Sequence, residues 1–217
     1  MGAVVLAAGR STRMGEAKQL LPLGESTVLT QTLDNVRGAR VSEIVLVLGS
    51  SAQTIREKLP RHVTEGLKVM VNEAYEQGMA SSLRVGLSAL DPQARAALVV
   101  LADQPFIRPD TFDRIIDQYR STNGQIVIPV YRGFRGNPVV LDRSVFTEVM
   151  ALEGDTGCRA IFGSYSDGIV KVEVDDVGIL LDIDSKDEYE RLRGFGQRED
   201  AETSLIQAVI REARRGA

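Results

Sequence analysis

The stretch Leu6-Ala7-Ala8-Gly9-Arg10-Ser11-Thr12-Arg13-Met14-Gly15-Glu16-Ala17-Lys18 combines small side chains, two glycines and three cations. It leaves an apolar run, and open α/β sheets bind ligands where strands end at their carboxyl side. Ala7, Ala8 and Gly9 let a ligand approach the main chain. Gly9 and Gly15 are able to take positive φ, and a loop of that kind aims several N–H groups at phosphate oxygens. Arg10, Arg13 and Lys18 stand against the one acid, Glu16, in a chain whose net charge is −4. A triphosphate is a ligand that needs such a patch. Leu6, Ala7, Ala8, Gly9, Arg10, Ser11 and Gly15 are therefore the candidate nucleotide contacts. Two phosphate motifs are excluded. Gly9 is followed by Arg10-Ser11 rather than by x-Gly-x-x-Gly, and Glu16 stands where a P-loop has its lysine.

Carboxylates supply the complement. Val99-Val100-Leu101-Ala102-Asp103-Gln104-Pro105 sets an acid at the end of an apolar strand. An unpartnered carboxylate there is costly, so Asp103 is expected to face a cleft or a cation. Magnesium takes one or two carboxylates along with phosphate oxygens and water. A second cluster, Asp182-Ile183-Asp184-Ser185, follows an apolar run read as a strand over Ile179–Leu181. If that strand continues, alternation puts Asp182 and Asp184 on one side, and Ser185 is suited to cap the next helix.

Three further loops carry polar chemistry. In Asn72–Arg84, Ser81 or Ser82 is expected to cap a helix. Tyr131-Arg132-Gly133-Phe134-Arg135-Gly136-Asn137-Pro138 reads either as a plain hairpin or as a holder for an anionic, planar acceptor. Gly154-Asp155-Thr156-Gly157-Cys158-Arg159 holds the single cysteine.

These loops need a scaffold. Strands are predicted at Ala3–Ala8, Glu43–Leu48, Lys68–Asn72, Ala96–Ala102, Gln125–Val130 and Ile169–Val174. Helices are predicted at Val28–Val36, Ala52–Leu59, Ser82–Leu90, Pro109–Arg120 and Arg143–Leu152, the last capped by Asp142 or Ser144. Apolar strands alternating with helices predict an α/β fold, a Rossmann-like, mostly parallel sheet with helices on both faces. Residues 1–193 form the expected domain; residues 194–217 read as a linker and an amphipathic helix that packs back or meets a partner.

Composition narrows the classes. A net charge of −4 argues against a nucleic-acid binder. No apolar run reaches the roughly 20 residues a membrane span requires. One cysteine excludes an internal disulfide and, with no basic leader, points to the cytoplasm.

Leu-Ala-Ala-Gly-x-Ser-x-Arg-Met-Gly-x-x-Lys followed by Leu-Leu-Pro-Leu resembles the signature of the molybdenum cofactor nucleotidyltransferases. Ala8 matches the cytidylyltransferase branch, whose guanylyltransferase relatives have glycine there. The resemblance continues through Asn72–Leu87, Leu101–Pro105, Gly133–Val139, Gly154–Arg159 and Asp182–Asp187. Asn137 stands where the family commonly has histidine, Ser185-Lys186 replaces Thr-Pro, and Cys158 stands at an alanine position, which implies a buried small side chain rather than a nucleophile. The resemblance implies transfer of CMP from CTP to the molybdopterin form of the molybdenum cofactor, with Mg²⁺ and release of pyrophosphate. It implies Lys18, Arg13 and Asp103 as catalytic residues and Asp103 with Asp184 as metal ligands. Asn72, Gly78, Ser81 and Ser82 fall near base and ribose, Arg135 and Asn137 near the acceptor, and a molybdenum hydroxylase becomes a possible recipient of the product. Transfer of GMP to the cofactor, transfer of CMP to an isoprenoid precursor or sugar, an NAD(P)-binding oxidoreductase and a non-catalytic cofactor chaperone are the alternatives.

Overall fold

The computed structural model describes residues 1–10, 17–122 and 124–195. In chain order the strands are β1 (Gly2–Ala7), β2 (Pro22–Leu23), β3 (Ser26–Thr27), β4 (Glu43–Leu48), β5 (Leu67–Val71), β6 (Ala96–Leu101), β7 (Ile126–Tyr131), β8 (Phe134–Arg135), β9 (Val139–Asp142) and β10 (Ile169–Glu173). The helices are α1 (Val28–Arg37), α2 (Ala52–Lys58), α3 (Arg61–Thr64), α4 (Met79–Ala89), α5 (Pro109–Ser121), α6 (Phe146–Met150) and α7 (Lys186–Leu192). The order across the main sheet is β10-β7-β9-β6-β1-β4-β5, with β8 hairpinned onto β7. Contacts β1–β4, β1–β6, β4–β5 and β7–β10 are parallel, and β9 runs antiparallel to both of its neighbours.

Side chains alternate between the two faces of each strand, and the core divides accordingly. Val5, Leu46, Leu98 and Val127 pack with Leu29 and Leu33 of α1, Ile55 of α2 and Phe112 and Ile115 of α5. Val4, Val45, Ala97 and Ile128 pack on the other face with Leu83 and Leu87 of α4 and Val149 of α6. Helices thus cover both faces, as the unbroken apolar runs require.

The six predicted strands form, with ends shifted by a residue or two. Three expectations need correction. Ile179–Leu181 is not a strand: Val177–Leu180 makes a 3₁₀ turn capped by Asp176, whose side chain accepts from Gly178 N–H. Gly178 lies so close to the Phe106 carbonyl that a β-carbon would come within 2.4 Å of its oxygen. The predicted helix from Arg143 divides into a 3₁₀ turn, Arg143–Val145, capped by Asp142, and the short α6. β9 was not expected, because three apolar residues and an aspartate behind a proline give little periodicity. The helix predicted beyond residue 204 lies outside the described residues. Among the described residues, no helix is long and apolar enough to cross a membrane.

Candidate functional site

β1 sits between β4 and β6, so the chain leaves it to one side and later returns to the other. A crevice at such a reversal, beyond the carboxyl ends of the strands, is where doubly wound sheets hold ligands. At that end Ala8–Arg10 leave β1 and Asp103 stands two residues past the end of β6.

The closing end of the first loop is well fastened. Lys18–Leu20 forms a 3₁₀ turn, with Leu21 N–H bonded to the Lys18 carbonyl at 3.2 Å. Gln19 is buried and donates from Nε2 to the Ala7 carbonyl at 3.2 Å, tying the turn back to the end of β1. Lys18 therefore projects from a fixed base. Its Nζ lies 2.6 Å from Asp103 Oδ2 and 2.7 Å from Asp184 Oδ1. Burial works against the charge on Lys18, but Asp103 and Asp184 outweigh it and raise the pKa above the ordinary lysine value. Asp103 Oδ1 is buried and has no hydrogen-bond partner among the described residues.

Asp184 is brought here by a backbone laid along the Asp103–Phe106 segment. Ile183 N–H bonds to the Asp103 carbonyl at 3.0 Å, and the buried Gln104 donates from Nε2 to Asp182 Oδ1. Asp176, itself buried, accepts from Arg108 N–H at 3.0 Å, the Thr111 hydroxyl at 2.6 Å and Gly178 N–H at 2.9 Å. Asp182 keeps an exposed edge. Protein crowding around its carboxyl, then the charges of Asp103 and Asp184, push its pKa up to about 6. Ser185 caps α7 by accepting from Glu188 N–H at 3.2 Å, and Glu188 reaches back to Asp184 N–H at 3.0 Å. This resembles a capping box, with the glutamate reaching one residue before the N-cap. It holds the Asp184 backbone while its carboxylate meets Lys18, so the two readings of this segment coexist.

At the opposite wall, Ala8 is buried against Gly49, where a β-carbon would come within 2.8 Å of the Ala8 β-carbon. Gly9 and Arg10 are exposed. Gly9 does not use its freedom to take positive φ, and a β-carbon there would meet nothing within 4 Å. Arg10 pairs with Glu76 and lies 5.7 Å over the Tyr75 ring, so it spans from the first loop to the loop after β5. Arg13, Ser11 and Gly15 lie outside the described residues.

The loop after β5 differs from expectation at its helix. α4 begins at Met79, with Gly78 rather than a serine at the cap position. Asn72 is buried and donates from Nδ2 to Ser81 Oγ at 2.7 Å and Ser82 Oγ at 3.0 Å, while its Oδ1 accepts from Ala74 N–H at 3.0 Å. Ser81 in turn donates toward the Gly78 carbonyl at 2.8 Å. These three side chains hold one another, and the helix start is met from elsewhere. Asp155 Oδ1 accepts from Met79 N–H at 3.3 Å and the Gly154 carbonyl from Ala80 N–H at 3.2 Å. The Asp155 contact could not be read from spacing, because it joins loops far apart in the chain.

Tyr131–Asn137 is a hairpin. Arg132 and Gly133 both take positive φ, at 50° and 87°, as a tight two-residue turn between twisted strands requires. Arg135 is exposed, and Asn137 N–H bonds to the Ile179 carbonyl at 3.2 Å. The hairpin thus leans on the segment that delivers Asp184. Cys158 is buried at the start of a 3₁₀ segment, and burial pushes its thiol pKa up to about 12, which fits packing rather than attack.

Comparison with known proteins agrees with this architecture. The family model described as the MobA-like NTP transferase domain matches residues 3–169. The molybdenum cofactor cytidylyltransferase of Escherichia coli K12 is 25% identical over 188 residues, covering 86% of this chain and 92% of that protein. The nicotine blue oxidoreductase of Paenarthrobacter nicotinovorans is 28% identical over 198 residues, covering 87% and 94%. Among solved structures, Rv0371c of Mycobacterium tuberculosis H37Rv superposes with a TM-score of 0.80 at 38% identity, covering 89% of this chain and 97% of that one. A second structure of Rv0371c is a complex with manganese, with a TM-score of 0.75, 36% identity and coverage of 88% and 96%. Fold, cleft and family model agree: the chain is a nucleotidyltransferase and belongs to the MobA-like NTP transferase domain family.

Proposed function

We propose that the protein transfers CMP from CTP to the molybdopterin form of the molybdenum cofactor and releases pyrophosphate, with Mg²⁺ held by Asp103 and Asp184. The observation that carries this reading is the meeting of Lys18, Asp103 and Asp184 at the crevice beyond β1 and β6. The choice of CTP rests on Ala8 and on the similarity to the cytidylyltransferase of Escherichia coli. The carboxylates suit a hard divalent cation: Asp103 presents a buried oxygen without a hydrogen-bond partner among the described residues, and Asp184 faces it across Lys18. Two carboxylates completed by phosphate oxygens and water are what magnesium accepts. Bound there, such a cation neutralises charge on the triphosphate.

In this reading an oxygen of the acceptor phosphate attacks the α-phosphorus of CTP, and the bond from that phosphorus to the β-phosphate bridging oxygen breaks. Pyrophosphate leaves with the bond's electrons. Lys18 meets the charge that gathers at the α-phosphate, and Arg13 with the loop amides receives the β and γ phosphates. Alignment and charge neutralisation carry such a reaction. The acceptor phosphate is ionised near neutral pH, so no general base is needed. Leu6 to Ser11 and Gly15 cradle the nucleotide. Gly78 and the Asn72–Ser81–Ser82 network hold the base and ribose loop, and Arg135 with Asn137 flanks the acceptor. A molybdenum hydroxylase would receive the product.

The test is pyrophosphate release with each of the four nucleoside triphosphates, with and without molybdenum cofactor and Mg²⁺. Release from CTP alone among the four, dependent on cofactor and metal, is expected. Release only from GTP overturns the donor. Cofactor binding with no release from any triphosphate favours a chaperone.

A further inference from the structure

One ammonium serves two carboxylates in this cleft. Lys18 Nζ lies within 2.7 Å of oxygens from both Asp103 and Asp184, and its side chain is only 13% exposed. A divalent cation bound by carboxylate oxygens sits about 2.0–2.6 Å from them. A cation shared by Asp103 and Asp184 therefore needs the space that Lys18 Nζ fills. Two positive charges do not share such a space without strong repulsion.

The backbone of Lys18 is fixed while its head can move. Gln19 anchors the turn to Ala7, and Leu21 closes it on the Lys18 carbonyl. Beyond the Cα, the lysine stem is a flexible four-carbon chain. Its ammonium can leave the carboxylates for a phosphate without disturbing β1 or the turn.

We propose that Lys18 and the metal are alternative occupants of the gap between Asp103 and Asp184, and that a nucleoside triphosphate admits the metal by drawing Lys18 onto its phosphates. The inference rests on the metal and nucleotide assignments made above. Triphosphate and metal then favour each other's binding, and the coupling is reciprocal by linkage. The lysine neutralises the acids until the substrate supplies another partner for it.

The experiment is titration of the full chain with Mn²⁺, followed by electron paramagnetic resonance, with and without a non-hydrolysable CTP analogue. Without nucleotide, Lys18→Met and Lys18→Gln are expected to bind Mn²⁺ at least about tenfold tighter than the unsubstituted protein. Adding Asp184→Asn to Lys18→Met should abolish the gain. If both lysine variants melt cooperatively yet bind Mn²⁺ no tighter, the proposal is overturned.

A measurement on the unsubstituted protein guards against misfolded variants. With ¹⁵N-labelled lysine, the Lys18 ammonium resonance should stay in place when Mg²⁺ is added alone and shift when Mg²⁺ and the analogue are added together. Displacement by Mg²⁺ alone at sub-millimolar concentration overturns the proposal. The underlying reading fails differently: Asp103→Asn and Asp184→Asn would then leave Mn²⁺ binding unchanged even in the presence of the analogue.

Discussion

The backbone of Gly78 lies so close to that of Gly154 that a β-carbon on Gly78 would come within 2.4 Å of the Gly154 carbonyl carbon and oxygen. Gly78 also holds φ at +94°, a region side-chain-bearing residues rarely enter. Both constraints fall on main chain, which has little room to yield. Gly78→Ala is expected to lower stability by about 2–4 kcal/mol, from strain and overlap together. Urea unfolding of the variant beside the parent measures it, and a loss under 1 kcal/mol would show that the two loops separate easily.

Lys18→Ala should cost turnover far more than nucleotide binding. Removing a single preorganised charge from a transition state typically lowers kcat by about 10²–10³. Nucleotide affinity should change by no more than about threefold, because the phosphate contact Lys18 makes on binding is offset by the Asp103 and Asp184 contacts it gives up. Steady-state pyrophosphate release beside calorimetric binding of a CTP analogue separates the two. Equal losses in both would remove Lys18 from the chemical step.

A polar contact away from the cleft sets an acid limit. The Tyr119 hydroxyl donates to Asp142 Oδ2 at 2.6 Å, and Ser144 N–H donates to Asp142 Oδ1 at 2.9 Å. Burial works against the charge on Asp142, but these hydrogen bonds outweigh it and hold its pKa below the ordinary aspartate value. A carboxylate with a lower pKa when folded stabilises the fold fully above its unfolded pKa of about 3.9, and the contribution fades as pH falls through the folded value. Tyr119→Phe should cost about 1 kcal/mol at pH 7, with the difference from the parent shrinking below about pH 4. Denaturant unfolding at neutral and acid pH checks the trend, and a difference independent of pH would show that the carboxylate plays no part.

Cys158 should be inert in the folded protein. Burial raises its thiol pKa to about 12, so almost none of it is thiolate at neutral pH. Ellman's reagent is expected to react with it only as fast as the chain unfolds, and rapid labelling of native protein would place the side chain at the surface.

The parts visible in the sequence are those set by local pattern. Val4, Val45, Val99 and Ile128 lie in runs apolar at every position, and only a strand covered on both faces has use for such a run. The types of Lys18 and Asp103, in the segments that follow β1 and β6, showed which loops hold charge. Their 2.6 Å contact joins residues 85 apart and depends on β6 lying beside β1, which no local pattern encodes. The same limit explains Asp155. A serine beside a helix start looks like its cap, yet the cap comes from a loop beyond α6. Asp176 too looked unremarkable among neighbouring acids until the fold set Arg108 and Thr111 against it.

The inverted strand β9 has a mechanical consequence. Lys18 and Asp103 belong to the half built on β5, β4, β1 and β6, and Ile183 N–H ties the Asp184 segment to Asp103, whereas the hairpin at Arg135 hangs from the half built on β7 and β10. Within the sheet, β9 is the joint, meeting β6 through Ala96–Val99 and β7 through Ile126 and Val127. Any sliding along that seam would move the hairpin relative to Lys18 and Asp103. The short ladder on β9 therefore acts as the ruler of the cleft, and substitutions there would reach the chemistry from a distance.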